Sequence, residues 1–533
     1  MLYLAFILHM HQPYYKDLLT EESDLPWVRL HGAKDYLDML QILERFPKIK
    51  QTFNLVPSLF EQLEDYNNGK VKDKYLELSR KPAAGLTKSD QEFILQNFFS
   101  INNEKVISTF PRYYQLHAKK RHHQEFSDQD YLDLQLYFNL AWIDPSFRQN
   151  IPELKEIILK ERFFSEGDKQ IVLDKQLQIL KEIIPAYCAA QQNNQIEISV
   201  TPYYHPILPL LCSTNVAKEA NKKTLLPKAE FNYPQDARNQ INSAVEFYKQ
   251  RFDSAPAGMW PSEEGVSEHI LAPIIESGIK WIVSDEAILF KSLKIKKRDT
   301  KLLYQPHLLK RKEGELNIVF RDRNLSDLIG FVYHGMKEVD AVNNFLAHLE
   351  NINKAFSAKG GSATNCGGKG KDILVTVALD GENAWEFYRN DGHDFLELFY
   401  QRISDADFVK TTTISEYLKL NPAKTEIKRL SAGSWIYGEF GKWIGNPYKV
   451  KAWEWLAEAR KALQCHCEKP RGDEAILKLA WKQMYILEGS DWFWWYGEDP
   501  DGSFDRLFRL HLTNFYKLIS QEAPAYLKGP LTP

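Results

Sequence analysis

Seven short runs of apolar and β-branched residues recur along this 533-residue chain, and most of them end in His, Asp, Glu, Trp or Pro. They are LYLAFIL before His9, KQTFNLVP from 50, IEISVTPYYHP from 196, APAGMWPSEE from 255, KWIVSDE from 280, ELNIVFRD from 315 and DILVTVALDGEN from 372. Continuous apolar runs of this length read as strands buried on both faces. Helical patterns separate most of them. In VSEHILAPIIESG, at 266–278, apolar residues recur at helical spacing until Gly278 ends the run. Alternating strand and helix implies a parallel sheet. Seven such units with polar strand ends favour closure into a distorted (β/α)7 barrel over an open doubly wound sheet, whose local pattern is the same.

Two stretches depart from this rhythm. Between about 60 and 190 the chain is rich in Leu, Gln, Lys and Phe at helical spacing, as in YLDLQLYFNLAWID, which reads as a helical insertion between the second and third strands. After about 405 the period is helical again, in YKVKAWEWLAEARKALQ and ILKLAWKQMYILEG. The expected division is a catalytic barrel over 1–400, insertion included, and a helical domain over 401–533 that contributes to the cleft. The Gly-rich KGGSATNCGGKGK, at 359–371, lacks the Gly-Lys-Ser/Thr ending of a phosphate loop and precedes a strand, so it reads as a surface connection.

Charge and cysteine usage narrow the partners. A net charge of -3, with no basic tail, gives no footprint for nucleic acid or anionic membrane. No run approaches the roughly 18 apolar residues of a membrane span. The opening MLYLAFIL has neither the basic start nor the small-residue end of a secretory signal and reads as the first strand. Five scattered cysteines argue against a disulfide framework and for a reducing, cytoplasmic location. Cys465-His466-Cys467 lacks a second ligand pair at zinc spacing, so neither metal nor cofactor is expected there or elsewhere.

The candidate chemistry lies at the strand ends. GMWPSEEGV, at 258–266, presents Glu263 and Glu264 beside Trp260; the bland alternative is two solvated acids at the positive end of the following helix. LDGEN carries Asp380 and Glu382 out of a strongly apolar strand, where Asp-Gly is otherwise an ordinary turn. TPYYHP delivers His205, and SAGSWIYGEFGKWIG, at 431–445, sets Trp435, Glu439 and Trp443 in a Gly-rich loop. Cleavage of a glycosidic bond needs two carboxyl groups, one donating a proton and the other acting as nucleophile or base.

Taken in order, these segments resemble glycoside hydrolase family 57. The matching stretches are His9-Met-His11-Gln-Pro13, Pro202-Tyr-Tyr-His-Pro206, Trp260-Pro-Ser-Glu263, Asp380-Gly-Glu382 and the Trp-bearing segment near Trp435. The resemblance implies a retaining enzyme on α-glucans or maltooligosaccharides, built on a seven-stranded (β/α) barrel with a helical C-terminal region. It makes Glu263 the nucleophile and Asp380 the general acid/base. His11 and His205 would line the sugar site, and Trp260, Glu382 and Trp435 would shape it. LDGEN and the segment Ser490–Trp495 look most like the amylopullulanase and α-amylase branch, in a family that also holds glucanotransferases and branching enzymes. Two other readings compete. His9-x-His11 after a first strand also matches metal-dependent amidohydrolases, with His205 and Asp380 as further ligands, and a barrel that has lost its chemistry can persist as a glucan-binding protein.

Overall fold

The computed structural model describes residues 1–357, 372–467, 474–499 and 502–531. The Gly-rich stretch at 359–371 and Cys366 lie outside them. Seven parallel strands close a barrel: β1 (Leu2–Met10), β2 (Gln51–Leu55), β3 (Ile196–Val200), β4 (Gly258–Met259), β5 (Trp281–Asp285), β6 (Gly314–Arg321) and β7 (Ile373–Asp380). Each pairs with the next in parallel. Closure runs from β6 to β7 through Thr376↔Arg321 and from β7 to β1 through eight pairs, Leu2↔Ile373 to His9↔Asp380. All seven are the runs read from the sequence.

The pleat sorts β1 into two faces. Leu2, Leu4, Phe6, Leu8 and Met10 join the large core beneath the surrounding helices. Ala5 and Ile7 belong instead to a small interior cluster with Trp260, Trp281, Val283, Val319, Leu374, Ala378, Ile414 and Tyr417. Residues from several strands thus meet across the lumen in packed layers. Continuing the same alternation to the carboxyl ends turns His9, Asn54, Asp285, Arg321 and Asp380 inward, so the top layer is polar where those below are apolar.

Three details differ from the sequence reading. The pattern at 266–278 yields only a 3-10 turn at Glu268–Ile270 and the short helix Leu271–Glu276, because Pro273 removes a donor near its start. His307–Arg311 is an unforeseen strand, antiparallel to β6. Val409–Thr411, within a region read as helical, lies parallel to β1. Helices fill the chain from Pro57 to Gln192, including α1 (Asp128–Ala141) and α2 (Glu166–Gln192), each opened by a capping box, Ser127/Asp130 and Ser165/Asp168.

Beyond α3 (Pro234–Phe252) the later helices are α4 (Pro447–Cys467), α5 (Glu474–Leu487), α6 (Ser490–Trp495) and α7 (Ser503–Leu518). Arg460 of α4 holds Asp236 of α3 through a buried fork, Nε–Oδ2 2.6 Å and Nη2–Oδ1 3.0 Å, tying this layer to the barrel. The described cysteines are all free thiols. No helix among the described residues is long and apolar enough to cross a membrane.

Gly258 marks the tightest contact of the interior. A Cβ there would stand 2.0 Å from the Trp281 ring, which is itself held by Nε1 donating to Glu197 Oε1 at 2.9 Å. Gly258→Ala should therefore destabilise the fold by about 1–3 kcal/mol through overpacking, read as a lowered midpoint in urea or thermal unfolding.

Candidate active site

The polar layer opens into a cavity of about 720 Å3 lined by His9, His11, His205, Glu263, Asp380, Glu382, Trp435 and Asp491, among others. Glu263, just past β4, and Asp380, the last residue of β7, thus share one pocket.

The segment after β4 is strained. Glu263 and Glu264 sit consecutively at φ 58° and 51°, in the left-handed region that non-glycine residues seldom occupy. The loop at 431–445 holds them there. Val266 and Gly433 exchange both backbone hydrogen bonds, at 2.8 and 3.1 Å, and Trp435 N–H donates to the Glu263 carbonyl at 3.1 Å. Gly433 is required at that clasp, with φ at 152° and a Cβ position 2.2 Å from the Gly438 carbonyl oxygen. The result aims Glu263 into the cavity, where Trp435 Nε1–H donates to its Oε2 at 2.8 Å. Glu264 turns the other way and is fully buried, with neither carboxyl oxygen hydrogen-bonded. Burial pushes it well above the usual carboxylate range, against the nearby Arg321. Neither residue is a solvated helix cap.

Three imidazoles form the opposing wall. His9 stacks on Trp260 with centroids 4.9 Å apart, and His11 stacks on His205 at 4.0 Å. Asn54 spends its amide on Ser199 Oγ at 3.0 Å, so its carbonyl accepts from His9 Nδ1 at 2.6 Å. Burial lowers His9 to about 3, with His11 adding to the effect, and burial also carries His205 well below its ordinary value. Both rings are therefore neutral at physiological pH. His11 Nε2 bonds Asp491 Oδ1 at 2.9 Å, and His205 Nδ1 bonds Ser490 Oγ at 2.8 Å. That leaves His11 Nδ1 and His205 Nε2 buried without partners at a site lined for a polar ligand.

Glu382 also lines the cavity. Its Oε1 accepts from His11 N–H and Gln12 Nε2, each at 3.4 Å, while Oε2 has no partner. Trp260 does not reach the cavity; it is fully buried between His9 and Trp435, meeting the latter edge-on at 5.5 Å. Trp443 is likewise buried core, and Glu439 is bonded to Asn221 Nδ2 at 2.8 Å. The sequence marks Ser490–Trp495 as a family-branch segment but gives Asp491 and Ser490 no place in the site. They stand at the polar start of an aromatic helix, Ser490 lying 285 residues beyond His205.

The two central carboxyl groups are electrostatically linked. Burial raises Glu263 well above its ordinary range, the neighbouring Asp380 charge raises it further, and the Trp435 donor opposes both. Burial raises Asp380 as well, opposed by the Asn383 amide at 3.2 Å and by His11 and Arg321. Burial thus raises both carboxyl groups, and the charge of Asp380 is felt at Glu263.

His11, His205 and Asp491 bring three ligand atoms within 4.8 Å of one another. The two imidazole planes lie only 18° apart at 4.0 Å, so their in-plane lone pairs run side by side instead of converging on one ion. His9 is committed to Asn54 and Trp260. This arrangement does not fit the amidohydrolase reading.

The glycosyl hydrolase family 57 model matches residues 5–429, most of the chain. The chain belongs to glycosyl hydrolase family 57. The full fold resembles a branching enzyme of that family from Thermococcus kodakaraensis, solved with glucose, at 18% identity and TM-score 0.62, covering 97% of this chain and 90% of that one. It also resembles the alpha-amylase AmyC from Thermotoga maritima, at 14% identity and TM-score 0.60, covering 97% and 93%. For the 4-alpha-glucanotransferase from Thermococcus litoralis the figures are 14%, 0.54, 97% and 60%. Alpha-amylase 1 from Dictyoglomus thermophilum is 23% identical over 270 residues, which is 51% of this chain and only 33% of that protein's length.

Trp435→Phe keeps the ring but deletes the donor that stabilises the Glu263 carboxylate. Because losing the donor raises the Glu263 pKa, the acidic limb of the kcat/KM profile should move to higher pH. Turnover should fall about tenfold or more, given roughly 1.5–3 kcal/mol for a hydrogen bond to a charged group. Steady-state kinetics across pH with wild type alongside checks both.

Proposed function

We propose that this protein is a retaining glycoside hydrolase or glucanotransferase of α-glucans, with Glu263 as nucleophile and Asp380 as general acid/base. The observation that carries the reading is that these two carboxyl groups, from different strand ends, line one cavity walled by imidazoles and indoles. The family membership and the α-glucan activities named for the similar proteins support the substrate class.

In the first half-reaction the Glu263 carboxylate attacks the anomeric carbon while Asp380 delivers its proton to the departing glycosidic oxygen, leaving a glycosyl ester on Glu263. In the second, Asp380 removes a proton from water or from a sugar hydroxyl, whose oxygen displaces Glu263. The chemistry requires one proton on the pair, seated on Asp380. The Trp435 indole favours the anion at Glu263, and a glycosidic oxygen accepting from Asp380 favours the acid there. His11 Nδ1, His205 Nε2 and Glu382 Oε2, without partners within the protein, would take the hydroxyls of the bound ring. Trp435 supplies an aromatic wall, and Trp260 braces it from behind.

Within the family, LDGEN and the segment at 490–495 lead us to favour an amylopullulanase or α-amylase type, which product analysis on pullulan against amylose decides. The free thiols suit a reducing, cytoplasmic setting. We read 1–400 and 401–533 as the catalytic and helical domains, with α6 of the second supplying Ser490 and Asp491 to the cavity.

Azide distinguishes the two carboxyl roles. Glu263→Ala and Asp380→Ala should each lower turnover of natural glucans by several orders of magnitude with the fold intact by circular dichroism. With an activated glycosyl fluoride, azide should restore Asp380→Ala to give a glycosyl azide of retained configuration. Azide replacing the nucleophile in Glu263→Ala should give the inverted anomer. Near-normal activity in either variant, or exchanged stereochemistry, rejects the assignment. A second measurement follows from the proton on Asp380. The alkaline limb of kcat/KM in wild type reports its loss, so Asp380→Asn, assayed on a substrate needing no acid, should lack that limb.

A further inference from the structure

A second cavity, of about 710 Å3, adjoins the first and has a mainly apolar lining that includes five Phe, Tyr and Trp rings. Asp380, Asn383, Phe387, Trp435 and Trp494 line both, whereas Glu263, His11 and His205 line only the first. Its lining includes Phe331 and Tyr437, exposed by 74% and 85% of their surfaces. Neither exposure is accidental to the backbone. Phe331 stands in a π-turn at Leu328–Val332, and Tyr437 sits at φ 54°, a left-handed conformation in the loop that holds Glu263. Large rings held open to water beside a deep cleft mark a binding surface. What covers this one is set by its continuity with the catalytic cavity.

Resting on the proposed roles of Glu263 and Asp380, we infer that this groove is the acceptor arm, binding the non-reducing end of an α-glucan chain that takes up the glycosyl unit in place of water. The acid/base touches the leaving group and then the incoming hydroxyl, whereas the nucleophile attacks from the opposite side of the ring. A groove that reaches Asp380 and not Glu263 therefore extends on the acceptor side. Flat rings at Phe331 and Tyr437 stack on sugar faces, and Arg323, Asp327 and His334 offer polar contacts to hydroxyls. An occupied acceptor arm raises the local concentration of sugar hydroxyl and excludes water from the glycosyl ester, so the share of transfer relative to hydrolysis rises as the arm fills.

The test uses α-maltotriosyl fluoride as donor and maltotriose as acceptor. Fluoride leaves as Glu263 forms the ester, so the first step needs nothing in the arm. The acceptor hydroxyl then displaces Glu263 and gives its proton to Asp380. The ratio of transfer to hydrolysis products is measured against maltotriose concentration for wild type, Phe331→Ser/Tyr437→Ser and Tyr437→Phe. Because both side chains are exposed, the double variant should unfold at the wild-type temperature. The inference predicts a transfer ratio about tenfold lower in the double variant, with half-saturating maltotriose raised by a similar factor. Tyr437→Phe, which keeps the ring, should stay near wild type. An unchanged ratio overturns the inference. So does an equal fall of both products at unchanged acceptor dependence, which would place the groove on the donor side. Failure of wild type to consume the fluoride at all overturns the underlying catalytic reading as well, and is distinguished from the other outcomes by that control.

Discussion

The parallel pairing of the first strand with the last is the contact on which the rest of the molecule depends. Eight consecutive pairs from Leu2↔Ile373 to His9↔Asp380 close the barrel and place an imidazole beside a carboxylate at its rim. Side chains alternate along a strand, so a slip of one residue would turn Asp380 outward and bury Leu379 in the lumen. The apolar set Leu2, Leu4, Phe6, Leu8 and Met10 fixes the register from the outside, where it packs against the helical layer. The position of the acid is thus set by hydrophobic burial several residues away.

A layer of His, Asp and Glu at the top of a packed barrel is expensive to desolvate, and the structure meets the cost in two ways. Burial shifts some groups toward their neutral forms, as with His9, His205 and Glu264. Others are held by a donor, as Trp435 holds Glu263 and Asn383 holds Asp380. The consecutive left-handed residues at 263 and 264 add strain of about 1–3 kcal/mol each. The clasp between Val266 and Gly433 sustains it, so the loop that supplies the indole also imposes the backbone that aims Glu263 into the cavity. Pre-aimed groups of this kind need little rearrangement when charge develops on a sugar ring.

All seven barrel strands were legible in the sequence, because buried parallel strands leave continuous apolar runs that local composition displays. The pairing of Glu263 with Asp380 was legible as a family pattern and as two acids at strand ends. Trp260 shows the limit. The resemblance makes it a shaper of the sugar site, and the structure buries it between His9 and Trp435, outside the cavity lining. Glu264 looked like half of a solvated pair, yet its left-handed backbone turns it inside. Asp491 and Ser490 reach His11 and His205 across 480 and 285 residues, through a docking of α6 that no local period encodes. Phe331 and Tyr437 were equally silent, since an exposed ring on a loop has no pattern to betray it.

The central claim is that Glu263 becomes covalently bonded to sugar in a pocket it shares with Asp380. Incubating the Asp380→Ala protein with 5-fluoro-α-glucosyl fluoride, then digesting it and sequencing the peptides by tandem mass spectrometry, tests this directly. The account predicts one labelled peptide, modified on Glu263. A label on another carboxylate, or an unlabelled enzyme that releases products of inverted configuration, would contradict it.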